Sequence, residues 1–149
     1  MDDLDRKIIA ELQIDGRMSA TELSDRVDLS LSATSERLRR LRSAGVISGF
    51  TVAVDPTAAG RPIQALVDVS LPAAASYSSG LDAAIIDLPG VVDAVHLTGP
   101  FDTQLRIAAR DVNELDQILG VLKDDFGVHE TNTRLILRTI DGFPRPPAV

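Results

Sequence analysis

Two short stretches hold side chains whose types and spacing could do chemistry. In SERLRRLRS, residues 35–43, four arginines (Arg37, Arg39, Arg40 and Arg42) fall within six residues. Guanidiniums at that density suit phosphates and base edges, which they meet as planar, bidentate donors. In LTGPFD, residues 97–102, Gly99 exposes a backbone N–H, Asp102 offers a charged acceptor and Phe101 an apolar wall, with Pro100 between them. A free amino acid needs such groups for its carboxylate, ammonium and side chain. Each stretch also has a plainer reading. A charged helix face is often only solvated, and Gly-Pro followed by Asp often only turns and caps a hairpin.

Composition narrows the choice. The 149 residues carry a net charge of -7, are 44% hydrophobic and 3% aromatic, and include neither cysteine nor tryptophan. That is enough apolar material for one domain or two small ones. Disulfides, thiol nucleophiles and cysteine-ligated metals are excluded, and two histidines far apart in sequence present no obvious metal or nucleophile–base set. The reading is a non-enzyme, with no catalytic or metal-ligating residue and no cofactor. Scarce aromatics argue against base-stacking platforms. The acidic start, MDDLDRK, is unlike a signal peptide, and no stretch approaches the roughly 18 apolar residues of a membrane span, so a cytoplasmic protein with no membrane partner is expected. The net acidity opposes nucleic acid only globally. Residues 1–50 hold eight Lys/Arg and nine Asp/Glu, net -1, while residues 51–149 hold seven and thirteen, net -6.

The elements that must position these side chains follow from periodicity and caps. Leu4, Ile8 and Leu12 behind an Asp2 or Asp3 cap, stopped by Gly16, predict a first helix. Ser19 with Glu22 forms a capping-box signature for a short second helix carrying Leu23 and Val27. Ser30 or Ser32 caps a third, with a buried stripe of Leu31, Thr34, Leu38 and Leu41 and a Gly45 stop. On a helical wheel Ser32, Glu36, Arg39, Arg40 and Ser43 point outward, Arg37 lies on a flank, and Arg42 sits near the stripe and snorkels. Two tightly joined helices with the arginines on the second predict a helix-turn-helix that reads the major groove of double-stranded DNA. Its small polar first turn lets the backbone approach a phosphate. The predicted DNA contacts are Ser32, Ala33, Thr34, Ser35, Arg37, Arg39 and Arg40. Alternation in FTVAV, residues 50–54, predicts a strand or wing behind them.

Pro56, Gly60 and Pro62 mark a boundary. Beyond it a weak repeat of strand, helix, Gly-Val turn and strand occurs twice, giving the order βαββαβ, with a capping box at Asp111 and Glu114 opening its second helix. The predicted fold is α+β: a three-helix (winged) helix-turn-helix at 1–48, a linker strand at 49–61, a ferredoxin-like βαββαβ domain at 62–142 and a loose tail at 143–149. Helices on one sheet face leave the other uncovered. Apolar residues on both faces, Leu66 and Val67 among them, predict that a second copy covers it.

With its elements in this order, the chain resembles the leucine-responsive regulatory protein/AsnC (feast/famine) family of transcription regulators. The matching segments are LDRKIIAELQIDGRMSATELSDRVDLSLSATSERLRRLRSAGVISGFTVAVDP, HLTGPFDTQLRIAARD and TNTRLIL. The resemblance implies operator binding by a dimer, sheets packed between subunits, further assembly often to octameric rings, and amino-acid effectors that alter assembly or DNA affinity. It implies basic recognition-helix positions at Arg37 and Arg40, with Ser32, Thr34 and Ser35 near the groove. It also implies an effector pocket lined by Gly99, Pro100, Phe101 and Asp102 together with Thr131 and Thr133. The residue after the aspartate, often aromatic or apolar in relatives, is Thr103 here. An architectural DNA-binding protein without an effector is the competing reading.

Overall fold

The computed structural model describes residues 1–71 and 79–140 of the chain. They form two compact units, which meet in sequence between Ala53 and Val54. The proposed 143–149 tail lies outside the described residues.

The first unit is three helices, each opened by a side chain that satisfies backbone N–H groups left without helical partners. Asp2 caps α1 (Asp3–Ile14) and Ser19 caps α2 (Ala20–Val27), both as full capping boxes, with Asp5 and Glu22 reaching back to the cap. Ser30 caps α3 (Leu31–Ser43), accepting from the Ala33 N–H at 3.2 Å. The α2–α3 turn passes through Asp28 in the left-handed region at φ 56. α3 ends in a Schellman motif, with Val46 N–H donating to the Leu41 carbonyl, Gly45 N–H to that of Arg42, and Gly45 at φ 70. Ile8, Ile9, Leu23, Val27 and Leu41 make the core. Truncating any one of the large ones to alanine should cost about 2–5 kcal/mol.

Two expectations for this unit are corrected. Leu31, placed on the buried stripe of α3, is half-exposed at the start of the helix, and Leu38 is only partly buried. Residues 50–54, expected as a strand or wing, form no strand. Their alternation is real, yet a strand needs a ladder partner, and no described segment pairs with them. Phe50, Val52 and Val54 are left exposed.

The second unit runs β1 (Ile63–Ser70), α4 (Ser79–Asp87), β2 (Val91–His96), β3 (Thr103–Ala109), α5 (Val112–Asp124), β4 (Glu130–Leu135). Its sheet order is β2-β3-β1-β4, all antiparallel, which is the ferredoxin-like arrangement expected from the repeat. Ala65, Val67, Val69, Leu105 and Ile107 face a core completed by Ile85 of α4 and by Leu115, Ile118 and Leu122 of α5. The box at α5 is half as expected. Asp111 caps the Glu114 N–H, but the Glu114 carboxylate takes the Arg110 N–H rather than that of the cap.

The opposite sheet face is more polar than expected. Asp68, in the middle strand, is buried and accepts from Gln104 at 2.7 Å, Asn132 at 3.4 Å and Arg134 at 2.7 Å, while Arg106 donates to Gln64 at 3.1 Å. Cross-strand register brings these together: Asp68 lies opposite Gln104 on one side and Asn132 on the other.

Candidate functional site

The arginines of α3 divide into two sets. Arg37 and Arg40 turn toward the N-terminus of α1. Arg37 Nη1 donates to Asp2 Oδ2 at 2.7 Å and to Asp5 Oδ1 at 2.8 Å, and Arg40 Nη2 donates to both Asp5 oxygens at 2.9 Å. Asp5 is the hub, its side chain 2% exposed and further bonded by the Asp2 N–H at 3.0 Å. Burial pushes the Asp5 carboxyl up, but the Asp2 N–H and the two guanidiniums outweigh it and hold the pKa below the usual carboxylate value. Asp2, half-exposed, is drawn from 3.8 to about 2, first by the Arg37 hydrogen bond and then by the Asp5 N–H. Arg37 is the more enclosed guanidinium, 23% exposed against 57% for Arg40.

The second set faces outward. Arg39 grips Glu36 in a two-pronged pair, Nε to Oε2 at 3.0 Å and Nη2 to Oε1 at 2.6 Å, well exposed to solvent. Ser35, Leu38, Arg39, Arg42 and Ser43 line a shallow groove of about 300 Å³ along the helix. Arg42, absent from the predicted DNA contacts, lines this groove and is a further candidate contact. Its spacing was the available signal, since positions 35, 38, 39, 42 and 43 recur at helical intervals.

Of the predicted DNA contacts, Ser32 and Ser35 are exposed, Ser32 Oγ lying 3.2 Å from Ser30 Oγ, and Ala33 is partly buried. Thr34 is corrected. It is fully buried at 0% exposure among the three helices, so it cannot touch a ligand without unfolding, and its hydroxyl finds no hydrogen-bond partner.

At the other unit, the LTGPFD turn joins β2 to β3. Leu97 N–H donates to the Asp102 carbonyl at 2.8 Å, Asp102 N–H to the Val69 carbonyl at 2.9 Å, and Leu71 N–H to Asp102 Oδ2 at 2.7 Å. Asp102 thus stitches the turn to the end of β1. Gly99 stands at φ 120, a conformation that disfavours any side chain, and the space beside it is open. Gly99 and Pro100 are exposed and Phe101 is half-buried. Thr131 lies at the same end of the sheet, across β1 opposite Val69, and Thr133 two residues further in opposite Val67. The six predicted effector residues therefore gather at one end of one sheet, with β1 between the turn and the threonines. A cleft of about 230 Å³ nearby, between α4 and the β2–β3 pair, has other walls: the buried Ile85 and Thr103 and the exposed Ala94, with His96 bonded to Asp82 at 3.1 Å and to Thr103 at 3.2 Å. Among the described residues no cluster of His, Asp or Glu could hold a metal ion, and no helix is long and apolar enough to cross a membrane.

Comparison with known proteins follows the same division. A winged helix-turn-helix DNA-binding family matches residues 1–48, and the Lrp/AsnC ligand binding domain matches residues 64–145. Fold and sites together define a DNA-binding transcription regulator that carries a ligand-binding domain. The HTH-type transcriptional regulator FL11 of Pyrococcus furiosus is 34% identical over 138 residues, 93% of this chain and 90% of that protein. The regulator AldR of Mycolicibacterium smegmatis is 36% identical over 144 residues, 95% of this chain and 84% of its own. The transcriptional regulator NMB0573 of Neisseria meningitidis, solved as a complex with L-Met, superposes with a TM-score of 0.88 at 30% identity, covering 99% of this chain and 96% of that one. The chain belongs to the Lrp/AsnC family.

Proposed function

We propose that the protein binds double-stranded operator DNA sequence-specifically through the outward face of α3, and that an amino acid bound at the β2–β3 turn alters its assembly or its DNA affinity. The observation that carries the first half is the separation of the arginines. Arg39 and Arg42 line an exposed groove behind a first turn of serines and alanine, so guanidiniums and small side chains share one accessible face. Arg37 and Arg40 contribute from its edge. For the second half, Asp102 and Gly99 stand at one end of the sheet with Thr131, where an acceptor for ammonium and donors for carboxylate are available. NMB0573, bound to L-Met, lends support to that ligand class.

The acting species is a dimer, formed over the sheet face opposite the helices and able to assemble further, to an octamer. The apolar, unpaired stretch at Phe50, Val52 and Val54 favours burial between copies as well. The competing reading, an architectural DNA-binding protein without an effector, draws on Asp102: one of its carboxylate oxygens already serves the Leu71 N–H. A thermal-shift panel of amino acids separates them. A ligand binding only the folded state at a hundred times its Kd adds about 2.7 kcal/mol, and a flat panel favours the architectural protein.

A further inference from the structure

We infer that Asp2 is a positioning residue that limits DNA affinity by occupying the guanidinium of Arg37. The inference rests on the assignment of α3 as the DNA-contacting helix. At the junction of α1 and α3 two carboxylates, Asp2 and Asp5, meet two guanidiniums, Arg37 and Arg40, and the charges cancel. The two carboxylates are not equivalent. Asp5 is enclosed, with both oxygens bonded by arginines and one also by the Asp2 N–H, so it holds the helices together out of reach of a ligand. Asp2 has a side chain 52% exposed and sits on the surface at 2.7 Å from Arg37. A phosphate approaching Arg37 must displace the Asp2 carboxylate or share the cation with it, and sharing sets two anions side by side. The guanidinium is thus already spent on an internal anion of the same valence as a phosphate diester.

Asp2 has a second task that the test must leave intact, since its Oδ1 caps α1 by accepting the Asp5 N–H at 2.8 Å. Asparagine caps a helix as well as aspartate does, so Asp2→Asn removes the charge and keeps the cap. With that charge gone, Arg37 and Arg40 share the single carboxylate of Asp5, leaving one positive charge uncompensated at the edge of α3. Phosphate contacts do not depend on sequence, so a fluorescently labelled mixed-sequence duplex serves as probe for the full-length protein. Asp3→Asn is the control, because Asp3 lies on the same turn but pairs with Arg6.

Binding of Asp2→Asn should be tighter than wild type at low salt, and the slope of log K against log salt should steepen by about 0.9 for each subunit on the duplex. Asp3→Asn should show at most a small part of that change, and the gain should vanish when Arg37→Gln is added. Equal effects from Asp2→Asn and Asp3→Asn would mean only a general change of charge and overturn the inference, as would a gain that survives Arg37→Gln. A wild-type protein that does not bind the duplex at low salt overturns the DNA assignment of α3 itself, whereas a binding wild type with a silent Asp2→Asn overturns this inference alone. Melting midpoints of all variants, measured alongside, confirm that folded protein is compared, and Asp2→Ser, which also retains a cap, repeats the test.

Discussion

Thr34 brings a hydroxyl into the middle of a three-helix core, where its Oγ1 has no partner. A buried, unsatisfied polar group costs about 1–3 kcal/mol, so Thr34→Val should stabilise the first unit by up to that amount in a denaturant titration and leave DNA affinity unchanged. A loss of affinity with stability preserved would return Thr34 to the DNA interface. Arg42→Ala should do the reverse, holding the melting temperature and flattening the salt dependence of DNA binding by about 0.9 in slope. The acid limb of stability also has a residue-scale origin. The folded Asp2 carboxyl sits at about 2 against an ordinary 3.8, and Asp5 is likewise lowered. Their contribution is complete above the ordinary carboxylate range and is lost as pH falls through the folded values, so acid unfolding followed by circular dichroism should begin earlier on that limb in wild type than its neutral-pH stability alone suggests, and Asp2→Asn should weaken the dependence. The partnership of Arg37 and Arg40 with Asp2 and Asp5 was not legible in the sequence. A wheel gives the direction of a side chain, but the partners lie 32 to 35 positions away, and only the tertiary crossing of α1 and α3 brings them together. Thr34, by contrast, was legible as a stripe residue from its spacing with Leu38 and Leu41, and that spacing outweighs its place in the small polar first turn of α3.

At the scale of elements, local signals were the readable ones. The Ser19–Glu22 box, the Ser30 cap and the Gly45 stop all act within four residues, and all three operate in the structure. Gly45 at φ 70 closes α3, so Gly45→Ala should cost about 1–2 kcal/mol for placing a Cβ in the left-handed region, read as a lower melting temperature with DNA affinity weakened only through fraying of the helix end. The βαββαβ order was legible because each strand alternates and each helix carries its own stripe. The strand expected at residues 50–54 did not form because alternation specifies which side chains face together, while pairing needs a second backbone. Likewise Leu31 has the right spacing for the α3 stripe, but as the first helical residue it stands half-exposed at that helix end.

For the whole molecule, charge is unevenly divided. The acidity that opposed nucleic acid falls mainly beyond residue 50, and the first unit is near neutral, with Arg39, Arg40 and Arg42 exposed along α3. Weak attraction per copy is the expected result, and linking copies supplies affinity through effective concentration. Light scattering with and without each amino acid should therefore report a mass above that of one chain, 15.9 kDa, and a ligand that changes the mass should change DNA affinity in the same titration. A single-chain mass at all concentrations would contradict the proposed dimer.

The hydrogen-bonded Asp68 has a practical meaning at this scale. Its charge is answered by Arg134, Gln104 and Asn132 from its own sheet, so a second copy laid over that face need not bring a counter-ion with it. Arg106 on that face donates to the neutral Gln64, so such a contact keeps a modest dependence on ionic strength, weaker than that of a grip on several phosphates. Salt concentrated enough to strip nucleic acid from the purified protein should therefore leave the proposed dimer paired, and gel filtration in that salt checks it.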